Sequence, residues 1–215
     1  MGIVSIQKFD NDSLLGLWHI TESLEELLLN IELTPIDQVN LEKRISLRRK
    51  KEWLACKNLM RSINSHVVQV RYDLNGKPFD DEGKYQISMS HSGQYACVYL
   101  SPAGPVGADV QKLKPTVTSS ADYFLNDEEL HWADIHNNAL MHLLWSAKEA
   151  AFKFAGQNEL NVKKDIVIKS FNSNQNEPIE VTIYSRKITE KIRIDYYFFD
   201  EYVLTWTVKP ITQFS

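Results

Sequence analysis

An α+β fold of two comparable lobes is what this sequence predicts, and three observations predict it. Each half of the 215-residue chain carries one long helical pattern, over residues 43–65 and from about Ala139 to Ala155. Each half also carries several short alternating segments bounded by turn residues, the mark of antiparallel strands. The halves meet at "SPAGP" (101–105), the most linker-like stretch of the chain. The boundary is set near residue 103, so the expected lobes are 1–103 and 104–215, each a long helix packed on a small antiparallel sheet. No repeat is visible in the letters, so any twofold relation between the lobes is structural only.

Along the chain, a short extended start and a hydrophilic stretch come first. "KRISLRRKKEWLACKNLMRSINS" (43–65) follows as the first long helix, with Leu47, Trp53, Leu54, Leu59, Met60 and Ile63 near the helical period. Lys43, Arg44, Arg48, Arg49, Lys50 and Lys51 crowd its first half, as either a solvated face or a docking surface for phosphate or an acidic partner. "RYDLNGKPF" (71–79) holds Asn75-Gly76 and Lys77-Pro78, a tight turn. Tyr85, Ile87 and Met89, then Tyr95, Cys97 and Tyr99, alternate with their neighbours as two strands joined through "SHSG" (90–93), read as a hairpin turn.

"VGADVQ" (106–111) is a short strand with Asp109 and Gln111 on one face. Thr118 and "NDEE" (126–129) signal helix starts between 118 and 134. The second long helix stops at Gly156, a natural C′ residue. "DIVIKSF", "IEVTIYS", "KIRIDYYFF" and "YVLTWTV" close the chain as strands.

Composition bounds the function. With 43% hydrophobic and 11% aromatic residues the chain can fill a real core. A net charge of −4 offers no global attraction to nucleic acid or to an anionic membrane, so a polyanion must be met by a local patch. No run approaches the roughly 20 apolar residues of a membrane span, and "MGIVSIQKFDNDSLLG" has neither a basic leader nor an apolar signal core, so a cytoplasmic protein is expected. Cys56 and Cys97 are too few for a disulfide framework or a zinc site and are expected in the core.

"LLWSAKEAAFK" (143–153) poses the functional question, because Lys148 and Glu149 stand side by side in an otherwise apolar helix. On a helical wheel Met141, Leu144, Lys148, Ala151, Phe152 and Ala155 form one stripe, and His142, Ser146, Glu149, Lys153 and Gly156 its neighbour. Two structural accounts are open: Lys148 snorkels to the surface, and Glu149 pairs with Lys153 at i,i+4. Trp145 and Phe152 belong to the core. Asp109, in a strand otherwise fit for burial, is costly unless paired, and a metal ion would explain it.

"GKP" (76–78), "SHSG" (90–93), "VGADVQ" (106–111) and "WSAKEAAFK" (145–153) occur in the order and spacing of the Sfp-type 4′-phosphopantetheinyl transferases, and the chain resembles that superfamily. The match runs in register over about residues 40 to 156. The resemblance implies an active site in the cleft between two pseudo-twofold lobes. It implies a magnesium-dependent transfer, with manganese as an alternative metal. The phosphopantetheine arm of coenzyme A moves to a serine of an apo acyl or peptidyl carrier protein, and 3′,5′-ADP leaves. Asp109 and Glu149 would hold the metal, with Gln111 where the pattern often has glutamate. Glu149 would also be the base for the attacking serine, and Lys148 would act beside it. Lys77, Ser90, His91 and Lys153 would bind the coenzyme's phosphates. Arg49 and Lys57, with Arg44, are candidates for its 3′-phosphate. The expected partners are coenzyme A and a carrier protein, with neither nucleic acid nor membrane, and the expected state is a monomer. Two other functions stay open: a non-catalytic paralogue that binds coenzyme A or a carrier, motivated by Gln111, and a magnesium-dependent phosphohydrolase, for which the Asp/Glu pair suffices.

Overall fold

The computed structural model describes residues 2–64, 70–73, 76–115, 120–175, 177–186 and 189–208, and the chain divides into two compact units, Met1–Pro105 and Val106–Ser215. Both are mixed α and β, and every strand pair in them is antiparallel.

The first unit opens with β1 (Ile3–Lys8) and β2 (Leu14–His19) and then turns helical. α1 (Leu24–Leu29) and α2 (Pro35–Glu42) occupy what looks like an undifferentiated hydrophilic stretch. Both start on a capping box, Ser23 with Glu26 and Thr34 with Asp37, in which cap and third residue satisfy each other's backbone N–H. The long helix α3 (Leu47–Ile63) begins four residues later than the periodicity predicts. The Ser46 side chain accepts from Arg49 N–H there, and Lys43 ends α2 instead. β3 (Val70–Tyr72), β4 (Pro78–Asp80), β5 (Gln86–Ser92) and β6 (Tyr95–Ser101) complete a six-stranded sheet of order β1-β2-β6-β5-β4-β3. Trp53, Leu54, Leu59 and Met60 of α3 pack with Trp18, Ile87, Val98 and Leu100 of the sheet in one core. Cys56 and Cys97 are both free and buried.

The "SHSG" stretch differs from the expected turn. Ser90, His91 and Ser92 are the last residues of β5, paired with Cys97, Ala96 and Tyr95. The chain reverses at Gly93 and Gln94, where Gly93 supplies the φ of 58° that a two-residue hairpin needs. Of the neighbouring Asn75-Gly76 turn, Asn75 lies outside the described residues, and Gly76 has a φ of 80°.

The second unit holds a five-stranded sheet of order β7-β11-β10-β9-β8, made from β7 (Ala108–Lys112), β8 (Ile166–Ile168), β9 (Ile179–Tyr184), β10 (Thr189–Phe199) and β11 (Tyr202–Val208). Between 118 and 134, where helix starts are signalled, there are two short helices, α4 (Ala121–Phe124) and α5 (Asp127–Trp132). The Asn126–Glu129 capping box starts α5 afresh, while Thr118 lies outside the described residues. α6 (Asn138–Ala155) is the second long helix and ends at Gly156. Its Met141, Leu144, Ala147 and Ala151 pack with Ile166, Val181, Ile194 and Val203 of the sheet, and Trp145 and Phe152 lie partly buried against that core. Among the described residues, no helix is long and apolar enough to cross a membrane.

Candidate active site

Asp109 and Gln111 share one face of β7, as strand alternation requires. Asp109 turns toward α6 and is almost fully buried. Each of its carboxylate oxygens is held. Lys153 Nζ donates to Oδ1 at 2.7 Å, and Ser146 Oγ donates to Oδ2 at 3.0 Å. Thr205, opposite Asp109 on β11, lies 2.9 Å from the Ser146 hydroxyl and donates to Ser146 O. Asp109 is thereby fixed in one orientation by α6, with β11 bracing Ser146 through Thr205.

Glu149 stands one helical turn before Lys153 on α6. Burial pushes its carboxyl above the ordinary range, Lys153 opposes the shift and the charge of Asp109 adds to it. The two carboxylates therefore feel one another, and Lys153, whose side chain is 25% exposed, lies at the open side of the group. The spacing of β7 from α6 has a specific cause. A Cβ on Gly107 would stand 1.9 Å from Ala150 O and 2.7 Å from Phe154 N, so only glycine lets strand and helix backbones touch there. Among the described residues no group of three or more His, Cys, Asp or Glu side chains is gathered for a metal. Asp109, Glu149 and Gln111 each carry a hard oxygen donor of the kind magnesium accepts.

Lys148, expected beside Glu149 in the chemistry, points elsewhere. It is completely buried, and its ammonium donates to Glu129 Oε2 at 2.7 Å, Ile166 O at 2.6 Å and Val162 O at 3.2 Å. Those three bonds use all three protons of an ammonium. The other Glu129 oxygen accepts from Ile168 N–H at 2.7 Å. The pair ties α5, α6 and β8 together, so Lys148 is corrected from a catalytic group to an interior fastener. Adjacent positions on a helix diverge by about 100°, so Lys148 and Glu149 face different ways.

Six expected residues belong to the first unit. Lys57 is also corrected: its ammonium lies 2.7 Å from Asp37 Oδ1 with both side chains 4% exposed, which ties α3 to α2 rather than reaching a phosphate. Arg44 lies over the Trp53 ring, 4.8 Å from its centroid. Arg49 and His91 come together, because both contact Glu52, at 3.4 Å and 3.3 Å. Ser90 is buried next to His91 on β5, with Cys56 Sγ 3.9 Å from its carbonyl oxygen. Lys77 is half-buried, and burial lowers its ammonium below the ordinary lysine range against the opposing charge of Asp73.

Sequence reasoning passed over Thr205 and Glu52, placed Ser146 on its stripe without a role, and took Arg48 only as part of the basic run. Ser146 shares its helical stripe with Glu149 and Lys153, which is a readable signal, and Arg48 and Arg49 stand i,i+4 and i,i+3 from Glu52. Nothing local marks Thr205.

A strand-and-helix pair of acids beside a lysine is chemistry suited to an anionic substrate met through a cation, and comparison with known proteins shows what the chain is similar to. A sequence profile of the 4′-phosphopantetheinyl transferase superfamily matches residues 105–207. The 4′-phosphopantetheinyl transferase AcpT of Escherichia coli is 28% identical over 116 residues, half of this chain and 59% of that protein. A 4′-phosphopantetheinyl transferase of Bacillus pumilus is 26% identical over 137 residues, 55% of this chain and 58% of its own. The L-aminoadipate-semialdehyde dehydrogenase-phosphopantetheinyl transferase of Xenopus laevis is 26% identical over 214 residues, 91% of this chain and 69% of that protein. Residues 105–207 thus resemble the 4′-phosphopantetheinyl transferase superfamily. It spans about three-fifths of the length of the bacterial relatives it matches.

Proposed function

We propose that this protein transfers the 4′-phosphopantetheine arm of coenzyme A to a serine hydroxyl of an apo acyl or peptidyl carrier protein, with 3′,5′-ADP as the leaving product. The observation that carries the reading is the Asp109–Glu149–Lys153 group of the second unit, in which two acids and a cation share one partly open place. The proposed division of labour gives the second unit the metal and the chemistry, and the first unit the coenzyme phosphates and carrier contacts. A cytoplasmic monomer, with no role for nucleic acid or membrane, belongs to the same proposal and accords with a net charge of −4.

Asp109, Glu149 and Gln111 would hold magnesium, or manganese in its place, and the cation would neutralise charge on the pyrophosphate. Asp109 is suited to the part because Ser146 and Lys153 set its orientation before any ligand arrives. Glu149 would serve as the base for the serine hydroxyl, directly or through a water, from its place beside the cation. Lys153 provides an ammonium for the phosphate side of the reaction. In the first unit His91, Arg49, Ser90 and Lys77 are the proposed phosphate contacts.

The test is to incubate the protein with an apo carrier protein, coenzyme A and magnesium, and to weigh the carrier by mass spectrometry. A gain of one phosphopantetheine group is expected, and Glu149→Gln is expected to abolish it, by about 10²-fold or more in rate, while circular dichroism stays that of the parent. Coenzyme A binding with an unmodified carrier would instead identify a non-catalytic paralogue, the reading Gln111 favours. Phosphate release without a carrier would identify a phosphohydrolase.

A further inference from the structure

We propose that Glu52 is a positioning residue that orders the phosphate-binding cations of the first unit, a role that rests on the transferase reading and deepens it. Glu52 sits in the first half of α3, and its side chain is 2% exposed. Three cationic or cationisable groups converge on its carboxylate. Arg48 Nε is at 2.7 Å, Arg49 Nη1 at 3.4 Å and His91 Nδ1, from the end of β5, at 3.3 Å.

The exposure of these partners separates Glu52 from a merely structural buried acid. Two interior pairs among the described residues are closed: Lys57 and Asp37 are each 4% exposed, and Lys148 and Glu129 are each 0%. Around Glu52 the side chains of Arg48, Arg49 and His91 are 68%, 63% and 31% exposed. A buried carboxylate thus faces two arginines that stand in solvent and a histidine that is partly open to it. Each guanidinium spends only part of its fork on Glu52, one nitrogen apiece, and the other N–H groups of each fork are not used by it. Beside the group lies a cavity of about 280 Å³ whose lining includes Arg48, Lys51, Glu52, Gly93 and Gln94.

The arrangement has a cost that an anion would offset. Arg48, Arg49, Lys50 and Lys51 are consecutive in the opening turns of a helix, where the backbone dipole already presents positive charge. Arginine ahead of glutamate is also the less favourable order for a helical ion pair. Glu52 reduces the repulsion among these cations and limits the rotamers of two long side chains before a ligand arrives, so less ordering is left to be done on binding. The chemistry that fits is a phosphomonoester, met by fork donors from Arg48 and Arg49 and by the His91 ring.

Two effects of Glu52 oppose one another. Its negative charge subtracts from the attraction for phosphate, while its bonds aim the donors. If charge alone mattered, neutralising Glu52 would tighten phosphate binding; if aiming dominates, binding weakens. Calorimetric titration of the full-length protein with adenosine 3′,5′-bisphosphate and with adenosine 5′-monophosphate separates them. Glu52→Gln is expected to lose about tenfold in affinity for the bisphosphate, the scale of one charge-assisted hydrogen bond, and less than about twofold for the monophosphate. In transfer assays the KM for coenzyme A is expected to rise by a similar factor with kcat nearly unchanged. Combined with Arg49→Gln, the two losses are expected to fall short of their sum, since both disturb one arrangement.

Equal or tighter bisphosphate binding, an equal loss for both nucleotides, or a fall in kcat without a change in KM would overturn the proposal. Should Glu52→Gln fail to fold, Glu52→Asp keeps the charge and shortens the reach. A selective loss for the bisphosphate is then expected, and an unchanged ratio overturns the idea. A wild-type protein that modifies no carrier defeats the transferase reading itself. A wild type that transfers, with Glu52→Gln indistinguishable from it, defeats only the role of Glu52.

Discussion

Lys148 illustrates how a residue's neighbours in sequence and its neighbours in space lead to different roles. The stripe it shares with Met141, Leu144 and Ala151 leads inward, and the structure follows the stripe: Lys148 meets Glu129 at 2.7 Å with neither side chain exposed. Taking two charges out of water is costly, and burial lowers the lysine's proton affinity against the pull of Glu129. Removing one partner leaves the other stranded. We therefore expect Lys148→Met to lose about 3–5 kcal/mol in urea denaturation, a large share of a typical domain's stability. Adenosine 3′,5′-bisphosphate binding by the folded fraction should be unchanged. A loss of binding with stability intact would instead return Lys148 to the substrate. The same argument explains why Lys57 was hard to place from sequence. Its partner Asp37 lies twenty positions away on another helix, and no periodicity connects them.

Elements were more legible than side chains, for physical reasons. α3 and α6 are long enough for the helical period to dominate, and the closing strands carry clear alternation. α1 and α2 are short and polar, so their signal is in the capping boxes at Ser23 and Thr34 rather than in hydrophobic spacing. The "SHS" run looks like a turn by composition, yet hydrogen bonding continues the strand to Ser92, which puts His91 at a strand end within reach of Glu52 on α3. That juxtaposition depends on pairing between distant segments, and no local pattern reports it. Asp109 and Glu149 became readable through the order of four short motifs; their mutual influence on protonation is a property of the folded unit. The β7–α6 contact makes an element-level prediction. Gly107→Ala places a methyl group where Ala150 O already stands, so the strand must move away from the helix. We expect a loss of about 1–3 kcal/mol, with carrier modification falling further than stability alone explains. Unchanged activity in a variant that unfolds earlier would show that the spacing of the two acids is not critical.

For the molecule as a whole, attraction for a polyanion has to be local. The chain carries 24 basic against 28 acidic residues, yet Arg48, Arg49, Lys50 and Lys51 are contiguous in α3. Such a field is short-ranged and is screened within about 10 Å at 0.1 M salt. The KM for coenzyme A should therefore rise several-fold between roughly 0.05 and 0.5 M sodium chloride, with a much smaller change in kcat. A salt-independent KM would mean that the exposed arginines play no part in capture. The bare approach at Gly107 reaches further than its own stability effect. Because peptide groups meet there with no side chain between them, the spacing of the two backbones that carry the acids cannot be retuned by trimming a methyl group at the contact. If the acids hold a cation as proposed, a protein built this way could alter its grip by changing the donors around them, such as Gln111, but has little freedom to alter how far apart strand and helix stand.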